Sequence, residues 1–143
     1  MCEVYAWAMF KQIFVNLPVA NLKRSVDFFG GLGFKFNPQF TDETSTCMVI
    51  SEHIFVMLLE NEKFQGFIKK PIASRDTTEA ILSFACSSPD EVRELSEKAF
   101  ALGATRVNEL EDNGFMVSWG FEDLDGHLWD LFWMDPNYVP HQN

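Results

Sequence analysis

The chain lacks what a membrane anchor, a disulfide scaffold or a nucleic-acid reader requires. No apolar run approaches the roughly 20 residues that span a bilayer. The first residues carry neither the basic flank nor the long apolar stretch of a secretory signal. A cytoplasmic protein with no membrane partner is expected. The three cysteines, Cys2, Cys47 and Cys86, are an odd number without metal-ligand spacing, and two sit in apolar stretches where a thiol packs as a small hydrophobe. Basic residues are few, 11 Lys and Arg against 21 Asp and Glu, and a net charge of −10 argues against binding a phosphate backbone. The acidic balance suits either a cationic ligand or plain solubility. Histidine is equally scarce. His53 and His127 each fall in a turn just before a strand, where imidazole is commonly solvated or capping, and His141 is in the terminal tail.

What the chain has is apolar mass. Its 143 residues are 47% hydrophobic and include fifteen Phe and four Trp, enough for one domain with a packed core. The first twelve residues fit no element, and Met9-Phe10-Lys11 reads as a more natural start than Met1, so residues 1–11 are expected to be an extension. From Ile13 the run IFVNLPV alternates as a strand. Asn21 offers an N-cap to a helix from about Leu22 to Gly31, with Leu22, Val26 and Phe29 on one face and Gly30-Gly31 as the stop. Strands are expected over Phe34–Phe40, Cys47–Ile50 and Ile54–Leu59, then a short helix or loop to Lys70. The polar segment Pro71–Thr78 reads as a linker.

The second half repeats this order. Ala80–Cys86 is a strand. Ser88-Pro89-Asp90-Glu91 starts a helix whose buried face is Val92, Leu95, Ala99 and Leu102, and Gly103 stops it. Strands are expected over Thr105–Leu110, Phe115–Phe121 and His127–Trp133, with an acidic turn at Glu111–Gly114. Each half is therefore βαβββ, an α+β arrangement: repeats 12–70 and 79–134 within one domain of residues 12–134, and a tail from 135 to 143. Two such modules predict a curved mixed sheet around a cleft, with helices on the outer face. The alternative is an ordinary α+β sandwich with a filled interior.

Val19-Ala20-Asn21-Leu22, then Ser25-Val26-Asp27-Phe28-Phe29 and Leu32-Gly33-Phe34, resemble the first strand-to-helix joint of the vicinal oxygen chelate superfamily. Asp123-Leu124-Asp125-Gly126-His127 resembles its D-P-D-G-N turn, with Leu in place of Pro. That turn has a physical basis, because Asp side chains accept from nearby backbone N–H groups and Gly takes the left-handed conformation. Superfamily members include lactoylglutathione lyase, extradiol dioxygenases, epimerases, fosfomycin-resistance transferases and metal-free bleomycin-binding proteins. The resemblance implies four metal positions, one on the first and one on the last strand of each half. Here they fall on Phe14, on Val56 or Met57, on Ile81 and on Asp130. Phe and Ile cannot ligate and a thioether suits soft copper(I), so only Asp130 survives, and one carboxylate falls short of the three protein ligands a catalytic site needs. No metal ligands and no cofactor are expected.

If the strands alternate as in the superfamily, Phe14, Asn16, Ile81, Ser83, Asp130 and Phe132 face the cleft, with Val15, Leu17, Trp129 and Leu131 under the helices. Met57, Met116 and Trp119 are expected beside them, giving a pocket of thioether and aromatic surface with a few polar groups. The same residues would equally fill a dry core. A carboxylate on such a wall is costly unless paired, so Asp130 either contacts ligand or pairs with a donor such as Asn16. Three functions fit: a metal-independent binder of a small, partly aromatic and cationic molecule; an enzyme, either a metal-dependent lyase or dioxygenase or a metal-free catalyst using Asp130 as general acid or base; or a dimerisation module. The resemblance implies a homodimer.

Overall fold

Alternation of side chains from residue 13 makes the first strand, β1 (Ile13–Val19), in which Leu17 and Val19 are buried while Phe14 and Asn16 stay exposed. The computed structural model describes residues 7–138, so Cys2 and His141 lie outside the described residues, as do most of the extension and of the tail. The chain divides after Ile72 into two compact units. This boundary falls inside the expected linker.

In the first unit β1 leads into α1 (Leu22–Leu32), whose free N–H groups are met by two side chains. Asn21 Oδ1 accepts from the Arg24 N–H at 3.0 Å and Glu60 Oε2 accepts from the Leu22 N–H at 3.0 Å. The helix buries Leu22, Ser25, Phe28, Phe29 and Leu32. It does not stop at Gly30-Gly31 but runs on to Gly33, where φ is 108° and the N–H returns to the Gly30 carbonyl. Two glycines weaken a helix without breaking one whose apolar face is covered, whereas the left-handed position ends it. β2 is only Lys35–Asn37, because Pro38 has no N–H for the ladder and opens a 3-10 turn, Pro38–Phe40. β3 (Ser45–Val49), β4 (Ile54–Glu60) and a short helix α2 (Asn61–Gln65) complete the unit. The sheet order is β1-β4-β3-β2, with β1 parallel to β4 and Asn16 opposite Met57.

The second unit repeats the plan. β5 (Ile81–Ala85) leads to α3 (Pro89–Ala101), capped by Ser88 Oγ accepting from the Glu91 N–H at 3.1 Å. The order is β5-β9-β8-β6, with β8 (Met116–Glu122) and β9 (Leu128–Met134) central and β5 parallel to β9, so that Ser83 lies opposite Asp130. The strand expected over Thr105–Leu110 is broken. Only β6 (Thr105–Arg106) pairs there, and the acidic pair β7 (Glu111–Asp112), expected as a turn, also pairs with β8. Between them the Asn108 carbonyl accepts from the Trp119 indole at 3.1 Å instead of from a strand. Among the described residues no helix is long and apolar enough to cross a membrane.

The turn before β9 is built on Asp123, which is 2% exposed. Its Oδ1 accepts from the N–H groups of Asp125 (2.9 Å) and His127 (3.0 Å), its Oδ2 accepts from the Trp129 indole (2.9 Å), and Gly126 takes φ 86°. His127 does not take the first of the two roles expected for it, solvated or capping. It is buried, with Nδ1 2.6 Å from Glu79 Oε1, because its neighbour in the turn holds it against the segment entering β5. Arg75 donates to the Leu124 carbonyl at 3.0 Å, tying part of the linker to this turn. Burial raises the Asp123 carboxyl above its ordinary value, and the donors around it oppose that rise. Asp123→Ala should lower unfolding free energy by about 3 kcal/mol, since an indole and two backbone donors lose their acceptor. A urea midpoint equal to that of the parent protein would contradict this role.

Candidate functional site

The longer helices α1 and α3 each cover one face of their sheet, and the opposite face is left largely open. On the first unit the open face at β1 and β4 carries Phe14, Asn16, Phe55, Met57 and Leu59. Phe14 and Phe55 are register partners and stack, with ring centroids 4.6 Å apart and planes 14° from parallel. The register decides between the two positions left open by the sequence. Met57 faces Asn16, whereas Val56 faces Val15 and is fully buried on the helix side. The Asn16 Nδ2 donates to the Phe14 carbonyl at 3.3 Å, so the donor expected for Asp130 serves its own strand.

Beside this face is a cavity of about 360 Å³ lined by Asn16, Leu59, Phe64, Phe67 and Ile68. Its wall depends on α2, which is fixed by Lys63. The ammonium donates to Asp42 Oδ2 at 2.9 Å and to Ser45 Oγ at 2.8 Å. Lys63, the Thr44 N–H and the Ser45 hydroxyl together hold the Asp42 carboxyl well below the usual carboxylate range. Gln65 then closes the following loop, donating to the Lys70 carbonyl and accepting from the Ile72 N–H. The sequence reading missed Phe55, Leu59, Phe64, Phe67 and Ile68. Period two from Met57 would have found the first two, while a five-residue helix and the loop after it leave no periodic signal for the others.

On the second unit the open face carries Ile81 and Ser83 from β5, Asp130 and Phe132 from β9, and Met116 from β8. Asp130 is half-buried. Burial pushes its carboxyl above the ordinary value and Glu111 adds to this, while the hydrogen bond with Ser83 opposes it. Trp119 does not share this face. It is 7% exposed on the opposite side, edge-on to Phe100 of α3 at 5.1 Å, with the Arg106 guanidinium 4.9 Å above its ring. Its place in the strand alternates with Ser118 and Gly120, which face Phe132 and Asp130, so Trp119 belongs to the core. Burial, Glu91 and Asp130 push the Cys86 thiol up to about 11, which disfavours its thiolate form.

Comparison with known proteins agrees with this architecture. Residues 11–51 match the family described as bleomycin resistance protein-like N-terminal. A hypothetical protein from S. aureus is 29% identical over 87% of this chain and 95% of its own, with a TM-score of 0.75. A glyoxalase/bleomycin resistance protein/dioxygenase family enzyme from Burkholderia phytofirmans is 13% identical over 85% and 96%, with a TM-score of 0.71. The genomically encoded fosfomycin resistance protein of Listeria monocytogenes is 20% identical over 94% and 97%, with a TM-score of 0.64. The fold is that of the vicinal oxygen chelate superfamily. No curated protein sequence matches the chain.

The positions that this superfamily resemblance assigns to a metal are Phe14 and Met57 on the first unit and Ile81 and Asp130 on the second. Two hydrocarbons, a thioether and one carboxylate do not fit a hard divalent ion. Among the described residues no three His, Cys, Asp or Glu side chains are grouped so as to hold one. The raised Asp130 carboxyl has a consequence for stability. A folded-state value above the unfolded one, roughly 3.9, stabilises at low pH, and that contribution is lost as pH rises through the folded value. Asp130→Asn should therefore match or exceed the parent protein in urea midpoint at pH 7, with the gap closing towards pH 3. Parallel pH profiles would contradict the raised value.

Proposed function

We propose that this protein is a metal- and cofactor-independent binder of small, partly aromatic molecules on the open sheet face of each unit, through Phe14, Asn16 and Met57 on the first and Ile81, Ser83, Met116, Asp130 and Phe132 on the second. The observation that carries this reading is what occupies the metal positions. Phe14 and Ile81 are 44% and 61% exposed, while on the helix sides of the same strands Leu17 and Val19 are buried and Leu82 and Phe84 half-buried. Burying such surface under a ligand gains roughly 25 cal/mol per Å². Asp130 and the net charge of −10 suit a ligand with a cationic group. The bleomycin-resistance-like match at the N-terminal end supports the same reading.

In this reading the protein acts in the cytoplasm as a homodimer and engages neither nucleic acid nor membrane. A ligand at about 100 times its dissociation constant contributes roughly 2.7 kcal/mol, so a panel of small aromatics should contain members that raise the melting temperature. Cationic members should lose their advantage in Asp130→Asn. A panel with no shift at millimolar concentration would overturn the proposal. Sedimentation at micromolar protein should give a dimer, and a clean monomer would contradict that part.

One observation favours a second reading, a metal-free catalyst. A carboxyl raised by burial and bonded to a hydroxyl is suited to general acid–base work. Turnover of any bound compound that is abolished in Asp130→Asn, with binding retained, would establish it.

A further inference from the structure

The cavity beside α2 presents groups whose bonding capacity is unspent, and together they define what it takes. Asn16 is the lone polar side chain among the described residues in its wall. Its Nδ2 is committed to the Phe14 carbonyl. That bond fixes the orientation of the amide, because a carbonyl accepts only from the nitrogen end. The Asn16 Oδ1 accepts nothing from the described residues. Phe64 and Phe67 line the same cavity, and neither ring stacks on another aromatic among the described residues, although Phe67 is 73% exposed. Among the described residues no charged side chain lines the space, so none selects an ionic group there. The volume of about 360 Å³ lies at the lower end of small-molecule pockets.

Resting on the binding reading above, we infer that this cavity is a subsite for an aromatic ring that carries one N–H or O–H donor. The ring lies against Phe64 and Phe67, and the donor reaches the Asn16 Oδ1. The wall is held open by the Lys63 ammonium on Asp42 and Ser45, which keeps α2 and the segment after it against the sheet. Removing the donor from the ligand therefore forfeits one neutral hydrogen bond without changing the fit of the ring.

The test compares indole with benzothiophene, which has nearly the same shape but no N–H, by titration of the full-length protein with amide and side-chain resonances followed by NMR. Indole is expected to bind about five- to tenfold more tightly, the equivalent of one neutral hydrogen bond, with shifts centred on Asn16, Phe64 and Phe67. Asn16→Leu, at an exposed position, should fold normally and abolish the preference, and Phe67→Ala should weaken both probes alike. Equal affinity of the two probes would overturn the inference, as would a preference that survives in Asn16→Leu. Shifts confined to the Asp130 face would sink the subsite while leaving the binding reading intact. Absence of binding by any aromatic would sink both.

Discussion

In each unit the first and last strands lie side by side and parallel, and because strand side chains alternate with period two, that single register decides which residues meet the helix and which remain open. Asn16 opposite Met57 and Ser83 opposite Asp130 are the same position of the repeat in its two copies. A slip of one residue in either unit would turn Val56 or Trp129 outward and drive Met57 or Asp130 under a helix. Full burial of Val56 and near-full burial of Trp129 make that slip costly. The chemistry of the open faces is thus set by the packing of the closed ones.

A few polar contacts hold this register where the chain must turn. Asp123 gathers two backbone donors and an indole at the entry to β9, which fixes Trp129 on the core side and so places Asp130 on the open side. Glu60, at the end of β4, meets the N-terminus of α1 and couples the last strand of the first unit to its helix. Lys63 with Asp42 and Ser45 does for α2 what these do for the sheet. Asp123 and the Lys63–Asp42 pair are charges placed where several donors or acceptors converge, the condition under which a charge at a turn stabilises rather than strains the fold.

Much of this was legible in the sequence because it depends on local chemistry. Asn21 caps the helix it was expected to cap, the second helix starts at Ser88-Pro89 as expected, the Asp123 turn closes as its residue types require, and the alternation of β1, β5 and β9 turns Phe14, Asn16, Ile81, Ser83, Asp130 and Phe132 away from the helices. What was not legible depends on contacts distant in sequence. The side of the sheet taken by Trp119 is set by Phe100 and Arg106, and the break between β6 and β7 by its indole. His127 is buried by Glu79, 48 residues away. The continuation of α1 through two glycines reflects burial of Phe28, Phe29 and Leu32, which local propensity does not weigh. The cavity beside α2 escaped for the same reason, since Phe64 sits in a five-residue helix and Phe67 in the loop after it, which Gln65 shapes.

In the proposed function this fold binds its ligand through apolar and polar contacts rather than through a metal. Elemental analysis of purified untagged protein, paired with thermal unfolding in nickel, zinc, manganese or iron(II), tests it most directly. The account predicts less than about one metal per ten protomers and no shift in melting temperature with any of the four ions. About one metal per protomer, with a matching rise in melting temperature, would contradict it and put a metal-dependent reaction in its place.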